Sequence, residues 1–209
     1  MLIFLKWGAA AAFGLMVVSM AVLIRKTFSF GRREFYAGAN GNVKRGIAYA
    51  FGRGMMPWEK ESAGKHLPSY IAGILYHTGI FAAFFLLFCF LIGVPLPRFL
   101  LILVRLGLAA GAVCGLALLL KRFVSPHLRA VSCTDDFAAN LVVDAFVTLA
   151  LLYTVGAVSA ALFLAASILV LLYIPVGKLR HCVFFFYVRL LFGLFYGRRS
   201  VFPPASHKA

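Results

Sequence analysis

The chain has 209 residues, of which 63% are hydrophobic and only 13% charged, and it carries a net charge of +15. So little polar surface cannot keep that much apolar surface away from water in one soluble domain, which excludes a soluble globular enzyme and leaves an all-α integral membrane protein. The charge does not signal nucleic acid, because it is parcelled between apolar runs instead of forming a basic face.

Five apolar runs of about 18 to 25 residues predict five transmembrane helices, since at about 1.5 Å per residue such lengths cross about 30 Å of hydrocarbon. The first covers about residues 2–24; it has no small-residue cleavage site followed by a soluble domain, so it reads as a helix and not a signal peptide. A basic stretch from Arg25 to Lys65 follows. Its glycines between Gly38 and Gly54 lack the flanking strand of a nucleotide loop, and the stretch is expected to be a cytoplasmic loop. The second helix, about 68–92, carries His77, and Pro95 and Pro97 then mark a tight outer turn. The third covers about 99–120, a second basic loop runs from Lys121 to Arg129, and the fourth covers about 137–155. The fifth is expected over about 160–190 as one kinked helix, because the chain is again apolar from Cys182 to Phe195 apart from Arg189, and proline (here Pro175) can kink a membrane helix without ending it. Residues 1–199 then form one five-helix bundle domain and residues 200–209 a tail.

All but Lys6, Arg98 and Arg105 of the 21 Lys and Arg fall in the two basic loops and the segment from Lys178 onward. That asymmetry predicts an N-terminus outside and a C-terminus in the cytoplasm, with the protein in the cytoplasmic (inner) membrane. Basic loops of this kind meet anionic lipid and can also dock a partner.

Two histidines carry the chemistry. With this topology His77 lies nine residues past Pro68, about 13 Å in from the cytoplasmic boundary, and His181 arrives at the same side on the fifth helix. Two imidazoles on different helices near one depth can hold a haem b iron between them. Lys178 and Arg180, beside His181, are cations that such a site tolerates if they meet the propionates. The competing reading makes both histidines packing or interfacial residues. His66, His127 and His207 are expected at the surface, His66 being the one that could approach a haem edge. Cys89, Cys114, Cys133 and Cys182 show no Cys-x-x-Cys spacing, so neither an iron–sulfur cluster nor c-type haem is encoded.

On the fourth helix Asp136, Asn140, Asp144 and Thr148 recur every four residues, one polar stripe on one face. Asp144 is the acid inside a span, and Arg105 on the third helix is its candidate counter-ion. The stripe is either structural, through such a pair, or a proton path.

Leu75-Tyr76-His77, Pro175-Val176-Gly177-Lys178-Leu179-Arg180-His181, and the loop from Lys121 through Ser125-Pro126-His127 to Asp135-Asp136 resemble the gamma subunit of respiratory nitrate reductase. Met55-Met56-Pro57-Trp58-Glu59-Lys60-Glu61 and Phe195-Tyr196-Gly197-Arg198-Arg199 look closer to a sister group, the cytochrome b subunits of membrane heterodisulfide reductases and of the transmembrane redox complexes of sulfate reducers. The resemblance implies two haems b between the second and fifth helices, with His77 and His181 as axial ligands of the cytoplasmic-side one. The outer ligand places would fall near Leu87 and Phe163, neither a histidine, so one haem is expected and quinol oxidation at an outer haem is not. The implied protein transfers electrons between the membrane, through menaquinone, ubiquinone or another membrane subunit, and a cytoplasmic iron–sulfur subunit resembling that of heterodisulfide reductase; it is not catalytic alone. The rival readings are a haem-free anchor subunit and, against the scarcity of polar residues in the spans, a small transporter.

Overall fold

The computed structural model describes residues 1–31, 36 and 38–204, so that His207 and the last five residues of the expected tail lie outside the described residues. Among the described residues there is no strand, and nine α-helices follow in order: α1 (Leu2–Ser29), α2 (Val43–Phe51), α3 (Glu61–Lys65), α4 (Leu67–Ile92), α5 (Arg98–Val124), α6 (Pro126–Ala130), α7 (Thr134–Thr154), α8 (Ala160–Tyr173) and α9 (His181–Arg198). Among the described residues five stretches are long and apolar enough to cross a membrane: α1, α4, α5, α7 and the run Lys178–Arg198 that contains α9. Their outward faces are apolar as well, with Phe81 and Phe99 68% and 72% exposed, a surface suited to lipid and not to water.

The chain divides into two compact units, one of residues 1–20 and 68–179 and the other of 21–67 and 180–209, the first boundary falling within α1. In the first unit the helix ends alternate as neighbours should. Lys6 of α1, Phe90 and Gly93 at the end of α4, Leu101 of α5 and Thr154 of α7 gather at one end around a hollow of 590 Å³. At the other end Lys121 of α5 meets Ser69 of α4, and Arg122 reaches Ser132 Oγ at 3.0 Å and Asp136 Oδ1 at 3.7 Å. Glycines set the spacing between α4 and α5: a Cβ added to Gly79 would lie 2.6 Å from Gly111 Cα, so the two backbones touch. Between the ends lies an aromatic and aliphatic core in which Phe146, Phe163, Leu87, Leu108 and Leu164 are fully buried.

The stretch expected as one kinked helix over 160–190 is instead α8, a turn, a 3-10 turn at Lys178–Arg180 and α9. Pro175 has no N–H to continue the ladder, and the N–H groups of Val176 and Gly177 both turn back to Tyr173 O, at 3.2 and 2.9 Å. Lys178 N–H then donates to Asp135 Oδ2 at 2.8 Å. A carboxylate on α7 thus takes the donor that a continuous helix would have given to Ile174. At 14 residues, α8 spans about 21 Å, and it still brings the Tyr173 hydroxyl to Asp135.

In the second unit, the glycine-rich stretch expected as a loop holds α2. Asn42 caps it, its Oδ1 accepting from Arg45 N–H at 3.1 Å. The helix lies directly on α9: a Cβ on Gly46 would enter the backbone of Gly193 and Gly197, and one on Gly193 would lie 2.5 Å from Ile47 Cα. Asn40 and Gly41 donate their N–H groups to Arg198 O at 3.1 and 2.9 Å, closing the C-terminal end of α9. The glycines are therefore contact points between two helices. Phe28 of α1 meets Tyr187 edge-on at 5.4 Å between ring centres.

Beyond α2, the Tyr49 hydroxyl donates to Glu59 Oε2 at 2.7 Å and Arg53 Nε–H donates to Oε1. The Tyr49 hydrogen bond first, then that from Arg53, holds the Glu59 carboxyl below the ordinary carboxylate range. A depressed folded value means stability that is present above the unfolded range and lost as pH falls through the folded one. The emission of neighbouring Trp58 should therefore show an acid transition in the wild type, and Glu59→Gln should remove the pH dependence of that transition; an unchanged transition in the variant would assign it elsewhere.

Candidate functional site

His77 sits on an exposed face of α4, one turn beyond Gly73. Its Nδ1–H donates to Gly73 O at 2.7 Å, which leaves the lone pair on Nε2 and fixes the ring on its helix. This is the arrangement in which a metal-bound histidine is held, the second nitrogen anchored to a carbonyl. Gly73 lies on the same face, and a Cβ built there meets nothing within 4 Å, so the surface beside the imidazole is flat and open. Both features fit a planar macrocycle bound through Nε2.

The depth of His77 is set by its neighbour. The Tyr76 hydroxyl donates to Asn140 O at 3.3 Å and accepts from the Asn140 amide at 3.2 Å. Lys178 Nζ is bound to Asp136 Oδ2 at 2.7 Å, four residues earlier on α7. Along α7 the two levels differ by about 6 Å, so within the first unit His77 lies about one turn inward of Lys178.

His181 opens α9, directly after the 3-10 turn, and belongs to the second unit, whereas His77 belongs to the first. With Phe184, Phe185, Val188, Arg189 and Phe192 it lines one stripe of the helix, an open hollow of 390 Å³ walled chiefly by aromatic rings. The Arg189 guanidinium lies 5.5 Å from the centre of the Phe185 ring. Arg180 precedes His181 as the N-cap position of α9.

The places where outer ligands would stand are filled. Leu87 and Phe163 are fully buried. The Phe163 ring stacks on Tyr153 at 5.2 Å and on Phe146 at 6.1 Å, and meets Phe90 edge-on at 6.4 Å. Of the other histidines, His66 caps the end of α3 and His127 lies in α6, both exposed.

Comparison with protein-family models, curated proteins and solved structures finds no match to this chain.

The expected pair of Arg105 with Asp144 does not form. Arg105 Nη2–H donates to the carbonyl of Thr154, at the end of α7. Asp144 lies ten residues earlier, about 15 Å along the helix and beyond the reach of a guanidinium on α5 at that level. Asp144 instead accepts from Asn140 Nδ2 at 2.8 Å and is 2% exposed. The stripe of Asp136, Asn140 and Asp144 consequently splits, with Asp136 tied to Lys178 and Arg122 at the end of the unit and Asn140 and Asp144 tied to Tyr76 in its interior. Tyr76 is the partner that sequence reasoning missed. The one available sign was its place beside His77, and nothing in spacing assigns it to a stripe on another helix.

Among the described residues no group of three or more His, Cys, Asp and Glu side chains is arranged to hold a metal ion by itself. A two-histidine haem site needs no such group.

Proposed function

We propose that this chain is the haem b-carrying subunit of a multi-subunit respiratory complex in the cytoplasmic membrane, of the nitrate reductase gamma-like cytochrome b type. It passes electrons between the membrane, by way of quinone or a neighbouring membrane subunit, and a cytoplasmic iron–sulfur subunit of the heterodisulfide reductase kind. The observation that carries this reading is His77: an exposed imidazole anchored through Nδ1 to Gly73 O, with the lone pair left on Nε2. In this reading His77 and His181 would together hold one haem, the N-terminus is outside and the tail is cytoplasmic.

When bound, haem b supplies one-electron exchange between ferric and ferrous iron, and two imidazoles leave no coordination position for oxygen or substrate. The chain's own residues do the rest. The hydrogen bond from His77 to Gly73 O orients the ring and raises its basicity as a ligand. The rings of Phe184, Phe185 and Phe192 beside His181 keep water away. Lys178, which shares its charge with Asp136, and Arg180 supply positive charge at the mouth of the site, favouring the reduced state and meeting propionates. Leu87 and Phe163, packed into the core, support a single haem. The basic loops match the charge expected of a face that receives the cytoplasmic subunit.

The test is a dithionite-reduced minus oxidised spectrum of the purified chain. A low-spin b-type spectrum is the expected result. Folded, assembled material without haem would leave a membrane anchor subunit and return both histidines to packing.

A further inference from the structure

The interior of the first unit holds an acid that the electron-transfer reading does not use. Asp144 is 2% exposed, and its Oδ1 has no hydrogen-bond partner. Its Oδ2 accepts from the Asn140 amide at 2.8 Å, and the other amide hydrogen of Asn140 goes to the Tyr76 hydroxyl at 3.2 Å. Gly115 of α5 packs against this cluster so closely that a Cβ there would collide with both Asp144 Oδ1 and the Tyr76 ring.

The charged and titratable groups around Asp144 can be named helix by helix. From α4 comes the Tyr76 hydroxyl, an uncharged group. From α5 comes Gly115; of the cations of that helix, Arg98 is its first residue, 17 positions before Gly115 and so about 25 Å along the axis, and the others are engaged elsewhere, Arg105 with Thr154 O, Lys121 with Ser69 and Arg122 with Asp136 and Ser132. The only titratable side chain on α8 is Tyr173, whose hydroxyl is bound to Asp135. A buried carboxylate faced only by uncharged groups, the Asn140 amide and the Tyr76 hydroxyl, is a costly species, and a bound proton removes that cost.

Access is one-sided. Toward the Thr154 end, Phe146, Val147, Leu87 and Phe163 are all fully buried and apolar. Toward the other end, Asn140 is half-buried, and Asp136, one turn further, keeps 17% of its side chain exposed. The polar neighbours of Asp144 therefore lie toward the Asp136 end, and the apolar core closes the other.

We propose that Asp144 is a proton-binding site loaded from the Asp136 end of α7, and that it takes up a proton when an electron arrives beside His77. In this step one electron from a reduced iron–sulfur or quinol donor enters the haem, and one proton from water at the Asp136 end joins the Asp144 carboxylate, converting it to the acid. Oxidation reverses both. Tyr76, adjacent in sequence to His77 and hydrogen-bonded to Asn140, links the two places. The proton site stands on its own geometry; its coupling to the electron rests on the haem reading above.

Two measurements test this on the full-length chain. Infrared difference spectra between the wild type and the isosteric Asp144→Asn variant should show a carboxylic-acid carbonyl band in the wild type that shifts in heavy water. Carboxylate bands alone at every pH at which the chain stays folded, or an acid band that never exchanges, would overturn the proton site whether or not haem is present. In haem-loaded chain the midpoint potential should fall as pH rises through the range where the acid band disappears, with a limit of about 59 mV for each tenfold change in proton concentration, and Asp144→Asn should flatten that slope. An exchanging acid band with identical slopes in the two proteins would overturn the coupling and keep the proton site. A chain that carries no haem would overturn the electron-transfer reading and the coupling together, and the infrared result would still decide the proton site.

Discussion

Replacing His77 by alanine is expected to abolish haem retention. In the proposed site haem b would be held only by its ligands and by packing, and loss of a hydrogen-bonding partner outside the ligand shell alone costs about 10–100-fold in metal affinity. Loss of the ligand itself should leave haem near zero, or as a high-spin remnant held by one imidazole. The native arrangement gives the prediction its sharpness: Nδ1 is committed to Gly73 O, so Nε2 is the only nitrogen that can bind iron. His127, exposed on α6, provides the control, and His127→Ala should keep the full spectrum. An unchanged low-spin spectrum in His77→Ala would remove His77 from the site.

The second large effect concerns stability. Gly14 and Gly79 both lie inside long helices, where exchange of glycine for alanine should stabilise by roughly 0.5–1 kcal/mol through backbone entropy. At Gly14 a Cβ meets nothing within 4 Å, and Gly14→Ala should show that small gain. At Gly79 the same Cβ would lie 2.6 Å from Gly111 Cα and 3.0 Å from Gly107 O. Backbone atoms cannot yield as a flexible side chain does, so α4 and α5 must separate, and overpacking of this kind costs about 1–3 kcal/mol. Thermal unfolding in detergent should therefore move in opposite directions for the two variants. A Gly79→Ala protein as stable as the wild type would mean that α4 and α5 are not in backbone contact.

Much of the fold was legible because hydropathy is a strong signal. The runs now seen as α1, α4, α5 and α7 are each apolar over the length that lipid requires, and their bounds in sequence and structure differ by a few residues. The break after α8 was not legible, since it depends on Asp135, which lies 43 residues away, accepting the Lys178 N–H. Nor was α2, whose glycines read as loop until Gly193 and Gly197 are seen to receive Gly46 at close range. The candidate site divides in the same way. His77 stood out as an ionisable residue in an apolar run, and the absence of histidine at Leu87 and Phe163 was plain. The partner of Asp144 was misassigned, because Arg105 offers the opposite charge on a facing helix while depth along the helices, which separates them by about 15 Å, is fixed only by how α5 and α7 align.

Haem stoichiometry decides whether the chain carries electrons. Pyridine haemochrome quantitation on the purified, folded chain should give one haem b per polypeptide, in keeping with the single site proposed for His77 and His181 and a packed core at Leu87 and Phe163. No haem, or about two, would contradict the account: the first by removing electron transfer from this chain, the second by requiring a ligand set other than His77 and His181.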